Sequence, residues 1–239
     1  MSEASPSPDA FEGIQLVIFD QYKTLTEGNS DPEREIIREF KLEQEYSQVE
    51  AVVCGTKWDE VGGEASYLDA LVAGLGLPDS METRDTLKSI LQRDQAQESV
   101  VPEAAGVLQE LKGRGYQLAI LSNAATPQYT HVLQHESLRE ILDPALCFFS
   151  FQLGLVKPDP RVFDRICEAA RVPKSASLMV GDSVRSDFNG SQAAGVAKQV
   201  LLDPRGEHAD VHPRIVGLSK LLDLLPPMQK TERNSTFRL

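Results

Sequence analysis

Five short, almost continuously apolar runs, separated by segments of helical periodicity, restrict the fold more than any other feature of this sequence. They are Ile14–Phe19 (IQLVIF), Gln117–Leu121 (QLAIL), Leu146–Ser150 (LCFFS), Leu178–Val180 (LMV) and Gln199–Leu202 (QVLL). A strand with one face in water alternates apolar and polar residues, whereas a strand covered on both faces does not. Between the runs, Pro102 starts a helix at its first turn. Val107, Leu108 and Leu111 form its apolar stripe, and Gly113 and Gly115 end it. Further helices are expected over about 159–171, 186–194 and 216–225. Strands alternating with helices of this length predict an α/β protein with a doubly wound parallel sheet. In such a sheet ligands bind at the carboxyl ends of the strands.

One block breaks the alternation. Residues 28–98 contain no good strand pattern, only helical stripes: Ile36, Ile37 and Phe40; Tyr67, Leu68, Leu71 and Val72; Leu87, Ile90 and Leu91. Gly62, Gly63, Gly74 and Gly76 punctuate them. The expected organisation is therefore a core domain of residues 14–27 and 99–225, interrupted by a small α-helical domain of residues 28–98. Inserted directly after the first strand, it is placed as a lid would be. Residues 1–13 and 226–239 are polar and rich in proline or serine, and are expected to be flexible ends.

Composition narrows the partners. The formal net charge of −12 disfavours nucleic acid and anionic membranes, but one positive pocket could still bind a small anion. The N-terminal segment has no apolar core and resembles neither signal peptide nor anchor. Cys54, Cys147 and Cys167 are odd in number and widely spaced, as expected of reduced thiols in a cytoplasmic protein. His131 with His135, and His208 with His212, are pairs four apart without a clear third ligand, so zinc is not expected. Trp58 is assigned to packing within the insert, and Asp31-Pro32-Glu33 to a helix start with no functional role.

Four polar clusters fall at successive strand ends. Asp20 directly follows a run with five apolar residues in six (IQLVIF) and leads into Gln21-Tyr22-Lys23-Thr24; an acidic group there is costly if buried without partners. Ser122 and Asn123 end the second strand, Lys157 precedes the turn Pro158-Asp159-Pro160, and Gly181-Asp182-Ser183-Val184-Arg185-Ser186-Asp187 follows the fourth. Singly, each is ordinary: a capping Asp, turn chemistry, a solvated lysine. Asp182 and Asp187, five apart around a glycine-started turn, can converge on one hard cation.

In this order and spacing, over residues 14–203, the set resembles the haloacid dehalogenase superfamily, whose members pair a doubly wound core with a cap inserted after the first strand. The insert is similar to the family's helical cap type. The resemblance implies a nucleophilic carboxylate at Asp20, which forms an aspartyl intermediate. Ser122, Asn123 and nearby backbone N–H groups would hold the transferring group. Lys157 would offset negative charge, and Thr24 would orient the first loop. It also implies Mg²⁺, held by Asp20, the backbone carbonyl of Tyr22, Asp182 and Asp187, with water and substrate oxygens completing the shell.

Two features pull apart. Most phosphatases of the family carry a second Asp, the general acid and base, where this chain has Tyr22; the family's 2-haloacid dehalogenases have tyrosine there. Those dehalogenases work without metal, typically have Ser at the position of Asp182, and present a cap arginine to the halide. After Arg38 the insert has no arginine until Arg84. Three carboxylates together without a cation would repel one another. The preferred expectation is a Mg²⁺-dependent phosphatase of a small phosphorylated metabolite, monomeric or homodimeric. The alternatives are a metal-independent haloacid dehalogenase and a catalytically weak binding or regulatory protein. Without a general acid the phosphatase would favour good leaving groups, unless the insert supplies the proton from Asp59, Glu60 or Glu64.

Overall fold

The computed structural model describes residues 8–28, 31–127 and 135–228, with backbone alone for 94–97. Strands β1 (Leu16–Phe19), β4 (Gln117–Ser122), β5 (Cys147–Phe149), β6 (Ser177–Gly181), β7 (Lys198–Leu202) and β8 (Arg214–Ile215) form one sheet of order β5-β4-β1-β6-β7-β8. Every neighbouring pair is parallel. The chain winds outward from β1 to β5, then returns to the other side of β1 and winds to β8. The reversal at β1 opens the crevice where such sheets bind ligands.

The lack of polar alternation in the strands now has its physical reason. Val17 and Phe19 pack with Leu118, Ile120, Leu178 and Val180 in one apolar cluster. Leu16 and Ile18 pack with Ala119, Leu121 and Met179 in another, against helix Pro160–Ala170. That helix begins where expected because Asp159 accepts a hydrogen bond from Arg161 N at 2.9 Å and Pro160 occupies its first turn. Helix α5 (Ala104–Gly113) covers the other face through Val107, Leu108 and Leu111.

Between β2 (Thr26–Glu27) and β3 (Ser99–Val100) lie four helices: α1 (Pro32–Phe40), α2 (Tyr46–Val53), α3 (Gly63–Leu75) and α4 (Met81–Gln97). Asp31 caps α1 by accepting from Arg34 N at 3.0 Å, and Gly76 ends α3 in the left-handed conformation. Helices α2 and α3 approach closely at Gly74, where a Cβ would come within 2.7 Å of Val52 Cγ1. Ile36, Val49, Tyr67, Leu71, Leu87 and Ile90 are all buried between the helices. The helical block leaves and re-enters through one neck. There β2 pairs antiparallel with β3, and Glu98 accepts hydrogen bonds from Gln21 Nε2, at 2.7 Å, and from Thr26 Oγ1.

Several expectations change. Residues 8–13, taken as part of a flexible end, are held in place: Pro8–Phe11 is a 3₁₀ turn and Phe11 is buried in the core. The C-terminal segment is tied down at its beginning, because Tyr116 Oη donates to Pro226 O at 2.8 Å and Met228 N donates to Arg114 O at 2.9 Å. Strands β2, β3 and β8 have two residues each, too short for a period-2 pattern to register. The helix expected over 186–194 is a π-helical turn, Val184–Asn189, followed by a short α-helix, Gly190–Ala193. The helix expected over 216–225 is a 3₁₀ turn, Leu218–Lys220, and one α-turn, Leu221–Leu224. His131 lies outside the described residues; His135 caps a short helix, accepting from Ser137 N. No helix among the described residues is long and apolar enough to cross a membrane.

Tyr67 supplies a test of the helical block. Its hydroxyl donates to Val53 O at 2.7 Å in the buried α2–α3 interface. Tyr67→Phe removes the donor and leaves that carbonyl short of a partner, a cost of about 1–3 kcal/mol. Thermal unfolding should show Tm lowered by several degrees with unchanged far-UV circular dichroism; an unchanged Tm contradicts this account of the interface.

Candidate active site

Phe19 is paired on both sides, with Ile120 of β4 and Val180 of β6, so the next residue emerges at the mouth of the central crevice. That residue is Asp20, whose backbone N donates to Val180 O at 2.9 Å. The loops after β4, β5 and β6 converge on it. Lys157 is 2% exposed, and its Nζ donates to Asp20 Oδ1 at 2.6 Å and to Asp187 Oδ1 at 2.7 Å. Asp20, Asp182 and Asp187 each bring a carboxylate oxygen into one cluster, within 4.8 Å of one another. Seven of the eight residues singled out from sequence (Asp20, Tyr22, Ser122, Asn123, Lys157, Asp182 and Asp187) thus line one cavity of about 350 Å³.

Local structure explains these positions. Asn123 works mainly on Lys157: its Oδ1 accepts from Lys157 N at 2.8 Å, while its Nδ2 donates to Lys157 O at 3.1 Å. Beside it, Ser150 Oγ accepts from Ala124 N and donates to Ala124 O, joining the loop after β4 to the end of β5. Asp187 sits inside the π-helical turn, and its Oδ2 accepts from Ser183 N at 3.0 Å. π-helical turns recur at functional sites. Only glycine fits at position 181, since a Cβ there would stand 2.2 Å from Asp187 Oδ2.

Thr24 is placed differently. It is buried and lies away from this cavity; its backbone N donates to Gln21 O at 3.2 Å, while its hydroxyl has no hydrogen-bond partner among the described residues. Loop geometry at this position therefore rests on the backbone. The Tyr22 ring is met by the Lys23 ammonium, 5.4 Å from its centroid.

The electrostatics are dominated by crowding of negative charge. Burial pushes the Asp20 carboxyl up to about 8, against the pull of Lys157, and the charges of Asp187 and Asp182 add to the rise. Asp182 is pushed up to about 6, first by burial and then by Asp187, with Lys23 and Lys157 opposing. Burial would weaken the hold of Lys157 on its proton, but Asp187 and Asp20 outweigh it, so Lys157 is held firmly protonated. One ammonium in direct contact, with Lys23 acting on Asp182 from further off, faces three carboxylates. An all-oxygen set with that excess of charge suits a hard divalent cation.

Residues from the helical block complete the cavity, and sequence reasoning assigned no function to any of them. Glu50 of α2 accepts from Asn123 Nδ2 at 3.0 Å and pairs with Arg185, so it ties the block to two core loops. Arg34 also reaches the cavity, paired with Asp31 and lying over the Tyr46 ring. Glu33, read as part of an ordinary helix start, is 7% exposed and lines the cavity. Asp59, Glu60 and Glu64 do not line it: Asp59 caps a turn at Val61 and Gly62, Glu60 is exposed, and Glu64 pairs with Lys88. An acidic residue on an amphipathic helix carries no signal that separates a cavity-facing position from a solvated one. Trp58 packs on Tyr67, with ring centroids 5.7 Å apart, and Cys54, Cys147 and Cys167 are buried thiols that form no disulfide among the described residues.

The acidic cluster lies at the switch point of a parallel doubly wound core, where such sheets bind their ligands. Residues 14–195 match the haloacid dehalogenase-like hydrolases, and the chain belongs to that family. It is 30% identical over 150 residues to (S)-2-haloacid dehalogenase 4A of Burkholderia cepacia, covering 61% of this chain and 63% of the relative. It is 31% identical over 133 residues to phosphoserine phosphatase of Thermus thermophilus, covering 56% and 51%. The matched stretches thus span about half to two thirds of these relatives' length. Among solved structures, a dehalogenase superposes with a TM-score of 0.61 at 25% identity, covering 90% of this chain and 98% of the other.

Charge crowding predicts a pH-dependent stability. Asp20 and Asp182 both titrate above the value of about 3.9 expected in the unfolded chain. The folded state therefore binds more protons than the unfolded state across this range, and stability falls as pH climbs from about 4 towards 8. In EDTA, Asp182→Asn should raise Tm by a few degrees at pH 8 and by less at pH 5. An equal change at the two pH values contradicts the assigned repulsion.

Proposed function

We propose that the protein is a Mg²⁺-dependent phosphatase of a small phosphorylated metabolite, acting through an aspartyl-phosphate at Asp20. The observation that carries this reading is the charge balance: Asp20, Asp182 and Asp187 share one cluster with Lys157 as the only cation in direct contact among the described residues. Together with the Tyr22 carbonyl they would hold Mg²⁺, which when bound supplies the positive charge that the cluster and a phosphoryl group both call for. Lys157 binds Asp20 Oδ1, while Oδ2 accepts no hydrogen bond among the described residues and is the oxygen assigned to attack phosphorus. Ser122 lines the cavity beside it with a hydroxyl able to donate to a phosphoryl oxygen. A cavity of about 350 Å³ fits a small substrate. The helical block, tied over the cavity through Glu50, would serve as the cap.

A second reading is favoured by one residue. Tyr22 stands where haloacid dehalogenases of the family have tyrosine; one relative is a haloacid dehalogenase and one superposing structure is a dehalogenase. The same Asp20 would then attack carbon and expel halide, with no metal and no proton donor.

Turnover separates the two. Phosphate release from a panel of phosphate esters and acyl phosphates should require Mg²⁺, stop with EDTA, and fall by roughly three or more orders of magnitude in Asp20→Asn. Halide release from 2-chloropropionate in EDTA, without phosphate release, would instead establish the dehalogenase.

A further inference from the structure

Tyr22 leaves the first loop without the carboxyl group that would protonate a leaving alkoxide, and the cavity holds a carboxyl that the reading so far does not use. Glu33 lies in the first turn of α1 and lines the same cavity as Asp20. Among the contacts described, its two oxygens accept from neutral donors: Oε1 from Cys54 Sγ at 3.2 Å and Oε2 from Tyr46 Oη at 3.5 Å, beside a hydrogen bond from its own backbone N–H. Its neighbour Arg34 is engaged by Asp31 and does not pair with it. A buried carboxyl without a cation is costly as an ion and gives up less when it holds a proton.

We propose that Glu33 is the acid and base of the phosphatase reaction, supplied by the helical block in place of the residue at position 22. The inference rests on the phosphatase reading. In the first half, Asp20 Oδ2 forms a bond to phosphorus, the bond to the ester oxygen breaks, and the Glu33 proton passes to that oxygen, which leaves as an alcohol. In the second half, the Glu33 carboxylate takes a proton from water. The water oxygen bonds to phosphorus, the bond to Asp20 breaks, and Asp20 and protonated Glu33 are restored as inorganic phosphate leaves.

Two further observations fit. Burial pushes the Glu33 carboxyl up to about 7, with Asp31 of its own helix entry and Glu50 of α2 adding to the rise, and a hydrogen bond from its own backbone N–H and a weaker one from Cys54 opposing it. A group at that value is populated in both forms near neutral pH, as an acid that must become a base requires. The element that carries it is also tied to the loops around Asp20. Helix α1 packs on α2, and Glu50 of α2 is bound to Asn123 and Arg185, on the loops that hold Lys157 and Asp187.

The test compares two esters in Glu33→Gln, with Mg²⁺ present. p-Nitrophenolate leaves without a proton, whereas propoxide does not. The variant should form phenolate in a burst of one equivalent at close to the wild-type rate and then turn over slowly, because water activation is lost. On propyl phosphate its kcat/KM should fall by about 10²–10³-fold. Equal losses of burst rate and of propyl phosphate turnover would mean a structural role, and no loss would mean no role; either overturns the proposal. Should the variant not fold, the wild-type pH profile decides. kcat/KM for propyl phosphate should decline above pH 7 relative to that for p-nitrophenyl phosphate, while profiles of the same shape overturn the assignment. A wild-type protein that releases phosphate from neither ester, nor from acetyl phosphate, removes the phosphatase reading itself. Wild-type turnover with an indifferent Glu33→Gln removes only the role of Glu33.

Discussion

The buried ammonium of Lys157, wedged between Asp20 and Asp187, is the contact around which the remaining geometry is arranged. Removing one partner of a buried ion pair typically costs about 3–5 kcal/mol, because the charge left behind has no solvent to turn to. The neighbouring structure accordingly spends its polar groups on fixing that lysine. Asn123 clamps its peptide on both sides, and the π-helical turn presents Asp187 from the opposite direction. Gly181 removes the Cβ that would otherwise collide with the carboxylate. Three loops from three strands are thereby locked into one cluster without a covalent link.

That cluster also explains why the helical block cannot be an indifferent neighbour. Its contacts with the site loops include polar ones. Trp58 N donates to Phe151 O at 2.9 Å, on the segment that leads to Lys157. At the cavity itself, Glu50 pairs with Arg185 and accepts from Asn123. Glu50 thus leans on the same amide that positions Lys157. A shift of α2 changes the surroundings of the ammonium, and through it those of Asp20. The apolar packing between the helices gives the block its own stiffness, while the paired neck of β2 and β3, fastened by Glu98, fixes where it joins the core.

The fold was legible because its strongest determinants are local and repetitive. A strand buried on both faces must be apolar throughout, so β1, β4, β6 and β7 announce themselves, and Asp20 stands out as the polar residue that ends the first of them. The pairing of Asp182 with Asp187 was visible because both lie on one turn. What escaped are contacts between residues distant in sequence whose types are common on surfaces. Glu33 sits in a sequence that reads as a helix start, and it is a helix start; only the approach of Cys54 and Tyr46 buries it. Glu50 lies 73 positions from Asn123, and nothing in the spacing links them. Asp59, Glu60 and Glu64 are acidic residues of the same inserted block, yet they cap a turn, face water or pair with Lys88.

Moving a proton-transferring group from the nucleophile loop to a separate helical block changes what the enzyme can control. In a loop two residues from the nucleophile, acid and nucleophile are fixed relative to each other whatever occupies the cavity. On α1, the distance from Glu33 to the leaving oxygen depends on how the helical block seats against the core, and therefore on the substrate between them. Binding energy from the remote part of the substrate can then be realised only in the transition state, as proton transfer to a leaving group held by the same element. Protonated Glu33 is also better kept where water is scarce, and its burial against Cys54 and Tyr46 provides that. The tyrosine at position 22 fits the arrangement: it fills part of the cavity wall without adding a fourth carboxylate to a cluster already short of positive charge.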